Sequence, residues 1–192
     1  MRNKTFYRIK DKFKHIGASW DELAPDTNTA IDFAHTHINP EPQKMIDINH
    51  YTMEYCLAHS GETINERYRQ NRPEKIDLQI AEMVASHTTD TDLVLYRGVC
   101  EHVYELMKQN AKNMTDCDLY EKGFLATSLV KNQELNYKIK LRIYVTSGTK
   151  CVYMGNVNDE QGFYEVDIMH SSKLKIISMD HEYINCKLLT TA

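Results

Sequence analysis

Apolar positions recur at helical spacing in the first half of this chain and alternate with polar ones in the second. Ile46, Ile48, Tyr51, Tyr55 and Cys56 fall on one helical face, and Ser60-Gly61-Glu62 interrupts the run. The next helix is predicted over residues 63–69, ending at the breaker Asn71-Arg72-Pro73. Another is predicted over residues 74–86, with Ile76, Ile80, Met83 and Val84 as its buried stripe. From Asp92 onward, strands are predicted at 93–96, 124–129, 138–145, 151–154, 164–168, 174–179 and 183–189, with one helix at 103–110. Helices first and strands later predict an α+β fold with a largely antiparallel or mixed sheet, rather than alternating βαβ units.

Composition narrows the class. The chain has 192 residues, 42% hydrophobic and 26% charged, as expected of one globular domain with an ordinary core. No apolar run reaches the roughly 18–20 residues of a membrane span. Met1-Arg2-Asn3-Lys4-Thr5-Phe6-Tyr7-Arg8 lacks the apolar stretch of a secretory signal, so a cytoplasmic location is expected, in the producing or a target cell. Five cysteines, odd in number and without a C-x-x-C pair, favour free thiols. Histidines are numerous, but the tightest pair, His35 and His37, is joined by no cysteine or second pair, and no metal site is expected. A net charge of −4 carries no global nucleic-acid footprint.

Residues 1–43 read as an N-terminal extension, part of or packed on a main body at 44–192. Between Gly17 and Gln43, Pro25, Pro40 and Pro42 suggest loose packing. Ahead of that, Arg2, Lys4, Arg8, Lys10, Lys12 and Lys14 interleave with Phe6, Tyr7, Ile9 and Phe13. Such an arm either docks by its aromatic groups with a solvated basic face, or contacts an acidic partner.

Three separated stretches carry chemistry. Arg97 follows Leu93-Val94-Leu95-Tyr96 and precedes Gly98, so it stands at a strand end where its fork of donors can meet phosphate oxygens bidentately. Thr127 and Ser128 lie in Gly123-Phe124-Leu125-Ala126-Thr127-Ser128-Leu129, where hydroxyls can bond a sugar, a carboxylate or backbone. Glu165 opens the strand Tyr164-Glu165-Val166-Asp167-Ile168 after a polar stretch at 156–162. A carboxylate there can stabilise positive charge developing at an anomeric carbon, since glycosidic bonds cleave through oxocarbenium-like transition states. Taken singly, each is equally an ordinary surface residue.

In this order the three stretches resemble the Arg/Ser-Thr-Ser/Glu signature of the toxin-type mono-ADP-ribosyltransferases, in particular the bacterial exoenzyme branch. Tyr51-Thr52 and Ile64-Asn65-Glu66-Arg67-Tyr68-Arg69 resemble the helical element upstream of that family's arginine. Leu141-Arg142-Ile143, Gly148-Thr149-Lys150 and Tyr153 resemble the stretch before its glutamate, so the likeness covers roughly residues 46 to 180. It implies N-terminal helices packed on two facing, mostly antiparallel β-sheets, with 44–192 as the catalytic domain. It implies an enzyme of the glycosyltransferase class that takes NAD as a substrate, releases nicotinamide and needs no metal. Glu165, Arg97, Ser128 and Thr127 would be catalytic. Arg97, Gly98, Asn65, Arg69, Arg142, Phe124 and Ala126 would hold NAD.

Two departures shape the expected acceptor. Ala126 stands where the family has its first serine, and Phe163 where arginine-modifying relatives carry a second glutamate. A guanidinium acceptor needs an acid to position or deprotonate it, because its pKa exceeds about 12. A protein residue other than arginine is therefore expected, recognised by Phe163, Tyr164 and Gln161. The aromatic pair also suits a nucleobase. Nucleic-acid modification by a toxin–antitoxin or phage-defence toxin is thus the alternative to a bacterial or phage effector acting on protein, and an antitoxin or inhibitor protein is a further expected partner. A third reading, motivated by Ala126 and Phe163, is an NAD- or partner-binding module without transfer activity.

Overall fold

Strict alternation sends Leu93, Leu95 and Val99 to one side of a central strand and Val94 and Tyr96 to the other, and both sides are buried. This strand, β1 (Leu93–Val99), lies within the sheet of a computed structural model that describes residues 17–38, 63–155 and 162–192. The basic arm, the predicted helix at 46–56 with Tyr51-Thr52, and Gln161 lie outside the described residues.

The helices are α1 (Ala30–His37), α2 (Ile64–Arg69), α3 (Lys75–Ala85) and, after β1, α4 (Glu101–Ala111). The remaining strands are β2 (Leu119–Glu121), β3 (Leu125–Ser128), β4 (Ile139–Val145), β5 (Cys151–Gly155), β6 (Glu165–Ile168), β7 (Ser172–Met179) and β8 (Ile184–Thr190). They form one eight-stranded sheet in the order β2-β7-β8-β4-β1-β3-β6-β5, antiparallel except for β4 with β8. The fold is α+β, as the pattern predicts. The two halves of the sheet are joined through β1 and β3 at the single pair Tyr96↔Ser128. Leu93, Leu95 and Ile143 from one half and Leu125, Val166 and Ile168 from the other bury into one core. The expected pair of facing sheets is thus a single sheet folded over at a narrow seam.

Local signals start the helices that build the site. Thr63 caps α2: its hydroxyl accepts from Glu66 N–H (3.2 Å) and the Glu66 carboxylate accepts from Thr63 N–H (2.9 Å). Arg67 of α2 then grips Asp77 of α3 through two bonds of 2.7 Å, both residues buried. Ile64, Tyr68, Ile80 and Val84 bury with Phe124, Val152 and Met154, seating the helix pair on the β3–β6–β5 half.

Residues 17–38 depart from expectation. Rather than lying loosely, they place Ala30, Ala34 and Ile38, all fully buried, into the main core. That i, i+4, i+8 stripe of two alanines and one isoleucine is a helix signal carried mostly by small side chains.

Candidate active site

Where the sheet folds at its seam, a cleft of about 560 Å³ opens between α2, the end of β1, β3 and the loop at 133–137. Asn65, Arg69, Arg97, Gly98, Ala126, Thr127, Ser128, Phe163 and Glu165 line it together. Segments separated by up to a hundred residues in sequence thus converge on one opening.

Each element has a local reason for its position. Gly98 is required at its place, because a Cβ there would come within 1.7 Å of the Leu135 carbonyl oxygen. This close approach brings the 133–137 loop over the end of β1. Gly123 works similarly beneath Asn65, whose Oδ1 would sit 2.5 Å from a Cβ and instead accepts the Phe124 N–H at 2.7 Å. Asn65 and Arg69, four apart on α2, both face the cleft. Arg69 is held there by two bonds to the buried Glu121 carboxylate, 2.9 and 2.8 Å, and Glu121 also accepts the Gly123 N–H.

Register sets the acidic side. Ser128 stands opposite Glu165 and Ala126 opposite Asp167 in the β3–β6 pair, so these four share one face. The hydroxyls are occupied by backbone. Thr127 donates to the Val166 carbonyl at 2.6 Å, while Ser128 donates to the Val130 carbonyl at 2.8 Å and accepts its N–H at 3.2 Å. The Thr127 bond pins β3 to the start of β6, which carries Glu165, while the two Ser128 bonds close the turn that follows β3.

Arg97 is half-buried and donates from Nη1 to the Ala126 carbonyl. Burial lowers its pKa from the ordinary value, the nearby Glu121, Asp167 and Glu165 carboxylates oppose that, and Arg69 adds to it. Arginine starts so high that the guanidinium stays charged. The site therefore presents a desolvated guanidinium within the electrostatic reach of Glu121, Asp167 and Glu165.

Three expected residues fall elsewhere. Arg142 faces the opposite way because it is the register partner of Tyr96, whereas Arg97 pairs with Leu141. Its guanidinium is buried against Asp21 (2.7 Å), Asp180 (2.6 Å) and Asn185 (2.7 Å), 4.5 Å from the Tyr183 ring. It is a structural clamp and does not reach the cleft. Phe124 is fully buried beneath α2, edge-on to Tyr68 and His170. Tyr164 adopts φ 46° and turns into the main core, its hydroxyl donating to the Thr27 carbonyl at 3.4 Å, so Phe163 alone of the aromatic pair lines the cleft. Gln161 lies outside the described residues.

The cleft also contains residues that the pattern did not single out: Thr63, Gln133, Glu134, Leu135 and Tyr137. Glu134 is nearly buried, and its Oε1 accepts from Lys140 Nζ and the Tyr183 hydroxyl, both at 2.8 Å. No sequence period marks this loop; only Gly98, which lets it approach, hinted at it.

A family model described as ADP-ribosyltransferase exoenzyme matches residues 32–191. Among solved structures, the chain is similar to the C3larvin toxin, an ADP-ribosyltransferase from Paenibacillus larvae, at 16% identity, covering 89% of this chain and 98% of that one with a TM-score of 0.57. It is similar to C3stau2 from S. aureus, solved with NAD, at 16% identity, 94% and 96% coverage and a TM-score of 0.53. The ADP-ribosylating toxin BECa of C. perfringens, solved with NADH, gives 15% identity, 85% and 48% coverage and a TM-score of 0.62. At these identities the structural likeness speaks for the fold. A search of curated proteins finds no match.

Proposed function

The chain belongs to the ADP-ribosyltransferase exoenzyme family and is an NAD-dependent ADP-ribosyltransferase, and we propose that its cleft cleaves the nicotinamide–ribose bond of NAD and passes ADP-ribose to a protein side chain other than arginine. The observation that carries this reading is the convergence of Arg97, Ser128 and Glu165 on one opening. That relatives of the same fold were solved with NAD and NADH supports it.

Arg97, with Asn65 and Arg69 beside it, takes the pyrophosphate through charge-assisted bonds. Glu165 accepts a hydrogen bond from a ribose hydroxyl and faces the carbon that loses nicotinamide. The carbon–nitrogen bond breaks with its electron pair leaving on the nicotinamide nitrogen, which becomes neutral. The resulting oxocarbenium ion is stabilised by the Glu165 carboxylate. An acceptor nucleophile then bonds to that carbon and gives up its proton to solvent water. Ser128 and Thr127 act by fixing the strand opposite Glu165 rather than by touching the reacting atoms.

The acceptor reading rests on Phe163. No acid stands two residues before Glu165, and among the described residues the one additional carboxylate lining the cleft, Glu134, is engaged by Lys140. An arginine acceptor would lack its positioning base. The role is that of a bacterial effector or toxin. Labelled NAD supplied to a lysate, followed by protease or nuclease, tests this. Label released by protease and retained after nuclease is expected. Label lost to nuclease would replace the protein acceptor with a nucleic-acid one.

A further inference from the structure

The sheet is thinnest where the chemistry sits. One register pair, Tyr96↔Ser128, joins its two halves, and the cleft residues Arg97 and Glu165 stand on either side of it. Arg97 follows Tyr96 on β1, and Glu165 of β6 is the register partner of Ser128. The segment at 21–27 adds links between the halves. Asp21 Oδ1 accepts from the Tyr96 hydroxyl at 2.8 Å, and its Oδ2 accepts from Lys131 Nζ at 2.8 Å and Arg142 Nη2 at 3.1 Å. Tyr96 and Arg142 are register partners in the β1–β4 half. Lys131 belongs with the other half, three residues past the end of β3 and two past Leu129, whose N–H donates to the Tyr164 carbonyl at 3.0 Å beside Glu165. The Tyr164 hydroxyl in turn donates to the Thr27 carbonyl at 3.4 Å. One short segment thus holds the neighbour of Arg97 and the neighbour of Glu165.

Resting on the NAD reading above, we propose that Asp21 is a positioning residue for the reaction: by joining Tyr96 to Lys131 it staples the seam and holds Arg97 and Glu165 at the separation that NAD cleavage needs. Asp21 does not line the cleft, so it acts through the two strands rather than on substrate. Its bonds reach the back of the seam, because Tyr96 and Arg97 are consecutive on β1 and face opposite ways. The Asp21 and Lys131 side chains are 23% and 33% exposed, and an ion pair so open to water adds little to stability. Geometry is more demanding, since a misplacement of about 1 Å caused far from the reacting atoms can cost about 10²-fold in rate. Arg142 keeps Asp180 and Asn185 as partners without Asp21, so the β1–β4 half retains its own anchor. Lys131 also stands 3.8 Å from Glu182 in the turn between β7 and β8, so Lys131→Met cuts both of its ion pairs to that half.

The experiment is nicotinamide release by the full chain, with kcat and KM for NAD measured separately at one temperature below every melting point. Wild type, Asp21→Ala, Lys131→Met and Asp180→Asn are compared, with melting temperatures alongside. Asp21→Ala and Lys131→Met are expected to lower kcat by about 10- to 100-fold. Their KM should stay within about threefold of wild type, because Arg97 still meets the pyrophosphate. Lys131→Met should melt within about 3 °C of wild type, so it decides the matter should Asp21→Ala fail to fold. Asp180→Asn removes a partner of Arg142 but spares Asp21 and Lys131, and is expected to melt lower with kcat within about twofold of wild type. A Lys131→Met protein with wild-type kcat, a change carried by KM, or an Asp180→Asn protein that loses as much kcat as Lys131→Met would each overturn the proposal. A wild type that neither binds NAD nor releases nicotinamide would remove the parent reading and this one with it, which the wild-type arm alone reports.

Discussion

Arg97 holds its charge where burial opposes it, and the surrounding carboxylates keep that arrangement stable. Replacing it with alanine removes the charge-assisted bonds proposed to hold the pyrophosphate, worth roughly 1.5–3 kcal/mol. Arg97→Ala should therefore weaken NAD binding by about 10- to 100-fold in calorimetric titration, while an unchanged affinity would place the phosphates elsewhere. At this scale the sequence was informative where chemistry and position coincide. A cation at a strand end and an acid opening a strand announced themselves. Arg142 did not, because an arginine in a strand faces the cleft or the far side depending on a register the sequence leaves open. One residue of difference from Arg97's pairing sends it to Tyr96's side.

Among elements, the helix pair α2–α3 governs how Asn65 and Arg69 reach the cleft. Arg67, between those two cleft residues, points away to Asp77 and locks the pair from behind. Removing the arginine leaves a fully buried carboxylate without its counter-charge, which typically costs about 3–5 kcal/mol. Arg67→Ala should lower stability by that order in denaturant titration and loosen NAD binding as a secondary effect. A loss under about 1 kcal/mol would mean that the clamp is dispensable. The two helices were legible because capping residues and apolar stripes agree there. β2 was not, because three residues show too little alternation, and its inward Glu121 reads as a surface position. α1 escaped because its stripe is built from alanines.

Over the whole molecule, one polar network ties the segment at 17–38 to the sheet. Asp21 accepts from Arg142, Tyr96 and Lys131, and Arg142 also binds Asp180. Burial alone would raise the Asp180 pKa, but backbone N–H groups of Tyr183 and Glu182 with Arg142 and Asn185 outweigh it and hold it at about 2. A carboxylate held below its ordinary 3.8 contributes stability above that value and loses it as pH falls toward 2. The contribution is about 2 kcal/mol. Asp180→Asn should accordingly flatten the fall in melting temperature between about pH 4 and pH 2, and an unaltered acid limb would assign that loss to other groups. The apparent looseness in sequence came from Pro25 and the prolines at 40 and 42, while the attachment of Asp21 runs through residues 75 to 121 positions away.

The central claim is that this cleft both binds NAD and cleaves it through Glu165. The direct measurement is NAD affinity and nicotinamide release for Glu165→Gln beside the wild type, in the same preparation. Removing one such electrostatic stabiliser costs about 10²–10³ in rate. A loss of that size in release is expected, with NAD affinity within about threefold of wild type, because Arg97 rather than Glu165 is proposed to hold the pyrophosphate. A Glu165→Gln protein that releases nicotinamide at the wild-type rate would contradict it.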